Sequence, residues 1–193
     1  MKGLTKELAA KSKRLLLPIF NSRAQRAIAR AKEQLIEDFM SHLITQELEA
    51  GPEARNTSAS LGGYGNLFTY IGFEEGSDPI APIKAYLRRA IKLRQVRMRE
   101  FQFILTVELP SKEDIEALSP VPWAPGRSWV DAMERGLSGL GYYLNTSAPF
   151  SRSGHAIQAK VNVRPGSFQN QSYISPILAS ISKNIRKALT LTL

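Results

Sequence analysis

Apolar residues recur every three or four positions between residues 22 and 49, which is the spacing of an amphipathic helix. The apolar stripe is formed by Ala24, Ile28, Ala31, Leu35, Phe39 and Leu43. Ser22 and Gln25 fit a capping box at the start of this segment, and Gly51-Pro52 is a stop signal at its end. We therefore predict one helix over residues 22–49, about 42 Å long at 1.5 Å per residue.

Alternation of apolar and polar residues predicts three strands, over residues 67–73, 101–109 and 155–164. Val96 and Met98 are apolar in the opposite phase to the second strand. A bulge, a bend or a separate strand is therefore expected before position 101.

Further helices are predicted from capping residues and helical spacing, over residues 4–17, 78–91, 111–118, 128–137 and 175–188. Pro18 is expected to end the first of them. The order of elements predicts an α+β fold, with a long N-terminal helix and a small, mostly antiparallel sheet that has helices packed on one face.

The predicted domain organisation is simple. Residues 1–20 form a basic N-terminal arm or short helix, and residues 21–193 form a single α+β domain. Within that domain the stretch 52–66 is rich in Gly, Ser and Asn, which predicts a flexible loop.

Charge is unevenly distributed along the chain, whose net charge is +9. Residues 1–32 hold nine basic residues and one acidic residue, whereas residues 33–54 hold six acidic residues and no Lys or Arg. A helix dipole favours the reverse order. Two interpretations stay open: contacts within one chain neutralise both ends, or the basic end of one copy meets the acidic end of the next and builds a ring or filament.

A second basic block contains no acidic residue and suits a polyanion or an acidic protein surface. It comprises Lys84, Arg88, Arg89, Lys92, Arg94, Arg97 and Arg99. No aromatic residues alternate with these cations, so any nucleic-acid binding would depend mainly on phosphate contacts and on salt concentration.

The sequence carries no clear sign of catalysis. Cysteine is absent, which excludes thiolate chemistry and Cys-ligated metals, and the two histidines, His42 and His155, are far apart. The glycine run at residues 62–65 lacks the spacing of a phosphate-binding loop. We expect no enzyme activity, no cofactor, no metal site and no membrane span; a metal-dependent nuclease built on paired carboxylates is a third, weaker interpretation.

The order of elements over residues 20–110, with the sequence YIGFEEG at residues 70–76, resembles the neck or tail-completion proteins of tailed bacteriophages. The stretch PWAPGRSW at residues 122–129, followed by GLSGL at 136–140, also resembles a phage structural protein. The resemblance implies a non-enzymatic virion protein, made in the host cytoplasm, that forms a homo-oligomeric ring around the DNA channel. Its implied partners are copies of itself, neighbouring head–tail connector and tail proteins, and DNA contacted without sequence preference.

Two sets of candidate contact residues follow. For contacts between subunits we predict Arg23, Arg26 and Arg30 against Glu37, Asp38, Glu47 and Glu49. For the DNA channel or an acidic partner we predict the second basic block, residues 84–99. The alternative function is a basic nucleic-acid-binding module acting mainly through phosphate contacts.

Overall fold

A computed structural model of the chain describes residues 2–63, 65–99, 102–136, 143–145, 156–158 and 168–190. The helices are α1 (Lys2–Ser41), α2 (Leu43–Glu49), α3 (Leu67–Ile71), α4 (Ala81–Ala90), α5 (Lys112–Ala117), α6 (Trp129–Arg135) and α7 (Ile174–Thr190), with a short 3-10 turn at Gly51–Glu53. The strands are β1 (Lys92–Arg99), β2 (Gln102–Glu108), β3 (Pro120–Val121), β4 (Ala124–Ser128), β5 (Tyr143–Asn145) and β6 (Ala156–Gln158). The α+β prediction is confirmed.

Helix α1 is longer than the sequence predicts at its N-terminal end. It contains Pro18 in its interior and passes residue 20, the predicted boundary between arm and domain, without interruption. The expected stop at Pro18 and the expected cap at Ser22 were therefore wrong. Leu17 and Asn21 both border a cleft between α1 and β1, so the helix has packing partners on either side of the proline. That packing opposes the roughly 3 kcal/mol by which a proline disfavours a helix interior.

The predicted single helix over residues 22–49 is in fact interrupted near its C-terminal end. His42 is extended, with φ −67° and ψ 134°, and its Nδ1 accepts a hydrogen bond from the Ile44 backbone N–H at 3.3 Å. His42 thereby caps a new helix, α2, which ends at Glu49. The stop signal at Gly51-Pro52 is confirmed, and the break before it was missed.

The segment predicted as a strand over residues 67–73 is the helix α3. The Asn66 side chain accepts from the Thr69 N–H at 2.8 Å at the start of α3, and Gly72 ends it in the left-handed conformation. Leu67, Phe68, Tyr70 and Ile71 are all buried. A strand with one buried face would bury only alternate residues. In a helix, residues at i, i+1, i+3 and i+4 share one side, so all four can face the core.

The strand prediction for residues 101–109 is confirmed as β2 within the described residues, and Val96 and Met98 belong to a separate strand, β1. The two strands form an antiparallel hairpin with a register shift between Leu93 and Gln95. β3 pairs with β4, and β5 with β6. The predicted antiparallel pairing is thus confirmed, and the strands of the described chain are divided among three two-stranded sheets.

The remaining helix predictions agree with the structure. Ser111 and Ser128 cap α5 and α6 as expected, and α6 ends at Gly136. Asp78 accepts from the Ile80 and Ala81 N–H groups ahead of α4. Most of the predicted strand 155–164 lies outside the described residues, as does the GLSGL segment beyond Gly136; the described part of that strand is β6.

One hydrophobic cluster joins the C-terminal half of α1 to the later helices. Leu35 and Phe39 of α1 lie in it with Trp129 of α6, and Tyr173 packs between Phe39, His42 and Trp129. No side chain of α1 between residues 10 and 23 is buried. This N-terminal part of α1 therefore lies outside the core, and its partner in the fold is the β1–β2 hairpin, where Phe20 stacks on Phe103.

Candidate subunit interface and nucleic-acid interface

The three arginines predicted for subunit contacts lie on the exposed side of α1. Arg23, Arg26 and Arg30 are exposed, whereas Ala24, Ile28, Ala31, Leu35 and Phe39 are buried on the side facing the core. Within the described residues Arg26 and Arg30 form no ion pair. Both guanidinium groups are thus available to a neighbouring molecule.

The acidic residues predicted for subunit contacts differ in their exposure and in the partners that they already have within the chain. Glu37 is exposed and forms no ion pair within the described part of the chain, and the half-buried Asp38 accepts a hydrogen bond from Gln34 at 2.8 Å. Glu49 is exposed and pairs with Lys84, with Nζ and Oε1 3.4 Å apart. Such an exposed pair contributes about 0–1 kcal/mol, so it can be exchanged for an intermolecular contact.

Glu47, the remaining acidic candidate, is not on the surface. Its residue is 2% exposed, and Oε1 accepts from Asn56 Nδ2 at 2.8 Å and from the Leu67 N–H at 2.9 Å. Oε2 accepts from Ser58 Oγ at 2.7 Å and from the Ser58 N–H at 3.1 Å. The prediction that Glu47 contacts another subunit was therefore wrong, because its carboxylate is buried and already hydrogen-bonded.

The loop predicted to be flexible is organised by this carboxylate. Asn56 donates to Glu47, and its Oδ1 accepts from the Leu61 and Gly63 N–H groups at 2.8 and 3.2 Å. Asn66 donates to the carbonyl oxygens of Gly51 and Ala54. The Ser- and Asn-rich composition that predicts a loop also supplies the hydrogen bonds that tie its two ends together.

The second basic block divides into paired and unpaired cations. Lys84 pairs with Glu49, and Lys92 and Arg94 both pair with Glu108. The other four cations are exposed and form no ion pair within the described residues; they are Arg88, Arg89, Arg97 and Arg99.

The β1–β2 hairpin presents two chemically different faces. Val96, Met98 and Phe103 are half-buried on the side that meets α1. On the outer side Arg97 lies opposite the exposed Ile104, and Arg99 lies opposite Gln102. This outer face offers cations and hydrogen-bond donors without an aromatic ring, so among the described residues it suits phosphates better than unstacked bases.

The predictions missed a group of exposed apolar residues. Leu15 is 62% exposed, Ile19 51% and Leu43 50%, and Leu16 is also exposed. The run LLLPIF at residues 15–20 was the available signal in the sequence. This run is too short to span a membrane. None of the described helices is both long and apolar enough to cross a bilayer.

A cleft of about 380 Å³ lies beside Leu43 at the acidic end of α1. Asp38, Ser41 and His42 also border it. Burial lowers the pKa of His42, and a hydrogen bond to the backbone of Ser172 acts weakly in the opposite direction. The imidazole of His42 must be neutral to accept the hydrogen bond from the Ile44 N–H, because Nδ1 then keeps a free lone pair.

Three carboxylates from the pairs considered for metal chemistry, Asp114, Asp131 and Glu134, have structural partners. Burial acts to raise the pKa of Glu134, but hydrogen bonds from Lys112, Ser175 and Tyr173 outweigh it and lower that pKa to about 2. Asp131 pairs with Arg135, and Asp114 accepts from the Tyr86 hydroxyl at 2.8 Å. Among the described residues no three His, Asp or Glu side chains are grouped to hold a metal ion, and His155 lies outside them.

Comparisons with protein-family models, with curated proteins and with solved structures find no match to this chain.

Proposed function

We propose that this chain is a structural protein of the head–tail junction of a tailed bacteriophage, of the neck or tail-completion type. In this role it forms a homo-oligomeric ring around the DNA channel and joins the portal side to the tail. It acts by binding its neighbours and not by catalysis.

The observation that carries the proposal is the uncovered surface of α1. This 40-residue helix, about 60 Å long, leaves apolar side chains exposed at its basic end and Leu43 exposed just past its acidic end. Arg26, Arg30 and Glu37 along its exposed side have no ionic partner among the described residues. Exposed apolar groups beside unpaired charges of both signs are typical of a surface that other molecules cover.

Reversing two charges on α1 tests the role of this surface in assembly. In an Arg26→Glu/Arg30→Glu variant we expect closed rings with a central channel, seen for the unmodified chain by electron microscopy at high protein concentration and low salt, to be absent. Circular dichroism and the melting temperature should stay close to those of the unmodified chain, because both side chains are exposed.

The matched control is an Arg88→Glu/Arg89→Glu variant, which changes the same net charge at two exposed arginines outside α1. It should still form rings. Rings formed equally well by the α1 variant, or no rings from the unmodified chain under any condition, would contradict the proposed function.

A nucleic-acid-binding module is the second candidate, and the unpaired cations on the outer face of the hairpin favour it. If Arg97 and Arg99 contact phosphates, an Arg97→Ala/Arg99→Ala variant should bind duplex DNA more weakly and with less dependence on salt. The slope of log affinity against log salt should fall by about one for each contact removed.

The control for this experiment is Lys92→Ala, because Lys92 already pairs with Glu108. It should change DNA affinity less than the double variant does. Equal affinity for DNA in the double variant and the unmodified chain would argue against this candidate.

A further inference from the structure

The exposed side of α1 carries its groups in a defined order. Ile19, Arg26, Arg30, Glu33 and Glu37 lie within about 60° of one another around the helix, at 100° per residue. All five are exposed. From the N-terminal end the order is therefore apolar, basic, acidic, and Leu43 adds an exposed apolar group just beyond the end of α1.

When a second α1 runs in the opposite direction, its order of groups is complementary to that of the first. If a second α1 lies antiparallel, centred between positions 31 and 32, Arg26 of each copy comes opposite Glu37 of the other. The same register places Arg30 opposite Glu33, and it brings Ile19 close to the end of the partner's α1, where the exposed Leu43 follows. The numbers of each charge pair sum to 63, so one register satisfies both ionic contacts.

We propose that two copies of this chain pair through the exposed side of α1, antiparallel and related by a two-fold axis, with Ile19 of each copy against Leu43 of the other. The partner is a second copy because Arg26 and Arg30 each come opposite a carboxylate on the exposed side of the same helix. A two-fold contact of this kind is isologous and closes on itself.

The fold leaves this surface open. Leu17, Pro18, Asn21 and Gln25 border a cleft with the hairpin, and Phe20 stacks on Phe103. All of these α1 residues lie about 100° or more from Ile19 around the helix. The core helices contact the side formed by Ala24, Ile28 and Leu35. Over residues 22–41, where two α1 helices in this register overlap, a second α1 can therefore approach along the exposed side without displacing a described element.

The pair goes beyond the proposed ring. Neighbours in a cyclic ring are not related by a two-fold axis, and both contacts need Arg26 and Arg30, so one copy cannot make both at once. The pair is thus the state of the chain in dilute solution, and it opens when a ring forms.

Disulfide cross-linking between two single-cysteine chains tests the pair directly, because the natural chain contains no cysteine. An Ile19→Cys chain mixed with a Leu43→Cys chain in dilute solution should give a covalent dimer under mild oxidation. Within one chain, positions 19 and 41 are already about 33 Å apart along α1, so the bond can form only between chains. Failure of this mixture to cross-link at low salt would overturn the proposal.

Two controls define the register. Neither single-cysteine chain alone should cross-link efficiently, because the two Ile19 positions of an antiparallel pair lie about 37 Å apart. Leu109 is 38% exposed and lies after the hairpin, and a Leu109→Cys chain mixed with the Ile19→Cys chain should give no dimer. Equal cross-linking in all mixtures would mean unspecific collision and would overturn the proposal.

A charge exchange gives an independent readout by mass. Arg26→Glu alone should shift the dilute chain from dimer to monomer, and Arg26→Glu/Glu37→Arg in one chain should restore the dimer, because the two positions face each other in the pair. No restoration would overturn the register. Rings at high concentration without the 19–43 cross-link would refute the two-fold pair and leave the proposed ring in place. The cross-link without rings would refute the ring and leave the pair in place.

Discussion

Single polar side chains hold the segment between residues 51 and 66 in place. Glu47 is buried and accepts hydrogen bonds from Asn56, Ser58 and Leu67, and each bond joins the loop or α3 to α2. A buried carboxylate is stable only when its acceptor capacity is used in this way. The loop therefore depends on one buried carboxylate. In the sequence, Glu47 lies in an acidic segment and resembles a surface residue.

Removing the Glu47 carboxylate should be costly. In Glu47→Ala the donors of Asn56, Ser58 and Leu67 lose their buried acceptor, so the free energy of unfolding should fall by about 2–4 kcal/mol. Glu49→Ala is the matched control, since Glu49 is exposed with a single ion pair, and it should cost about 1 kcal/mol or less. Urea unfolding of both variants measures the difference, and equal effects would contradict the structural role of Glu47.

The break between α1 and α2 should make stability depend on pH. The pKa of His42 is lowered by burial in the folded chain, so protonation favours the unfolded state. The free energy of unfolding should therefore fall as pH drops from about 7.5 through the ordinary histidine pKa of about 6.5, and flatten below the folded pKa. In His42→Asn, whose side-chain oxygen can still cap α2, this part of the pH dependence should vanish; a variant with the same slope would exclude His42 as its source.

Among the elements, the N-terminal part of α1 and the β1–β2 hairpin depend on each other. Neither α1 between residues 10 and 23 nor the hairpin has a fully buried side chain within the described residues, and Phe20 and Phe103 stack with ring centroids 3.4 Å apart. Aromatic pairs of this kind contribute about 0.5–1.5 kcal/mol beyond the area that they bury. We expect this pair of elements to open more readily than the core.

Phe20→Ala should loosen the hairpin without unfolding the core. Amide protons of β2 should exchange about tenfold faster, which corresponds to about 1.4 kcal/mol, while those of α7 keep their protection. Ile19→Ala, at the neighbouring exposed position, should leave β2 exchange unchanged. Equal acceleration in β2 and α7 would show that the hairpin and the core open as one unit.

The elements also show what the sequence can and cannot predict. Capping residues and clean periodicity located α4 to α7 and β2, because these signals act over a few residues. The errors at Pro18, at His42 and in α3 arise where contacts between residues far apart in the sequence determine the local structure. The hairpin lies along α1, and Tyr173 packs against His42. Phe68 and Tyr70 are both buried. The exposed arginines of the candidate site could be predicted from charge, but the burial of Glu47 could not, because its partners lie 9 to 20 positions away along the chain.

For the whole molecule, we propose that the long charged helix α1 is a surface for other copies of the chain. Its exposed side carries unpaired charges of both signs. Exposed apolar side chains lie at its basic end and, just beyond its other end, at Leu43. Both proposed assemblies, the ring and the two-fold pair, bury this side. Both should weaken as salt screens the charges.

Light scattering at low and high salt, with and without DNA, measures the mass of the purified chain in solution and so shows whether its copies bind one another. Without DNA we expect a discrete multimer that dissociates as salt rises. It should be a dimer in dilute solution and a larger ring at high concentration. A chain of about 21.5 kDa at every concentration, whether it binds DNA or ignores it, would contradict the claim that copies of this protein bind one another through α1.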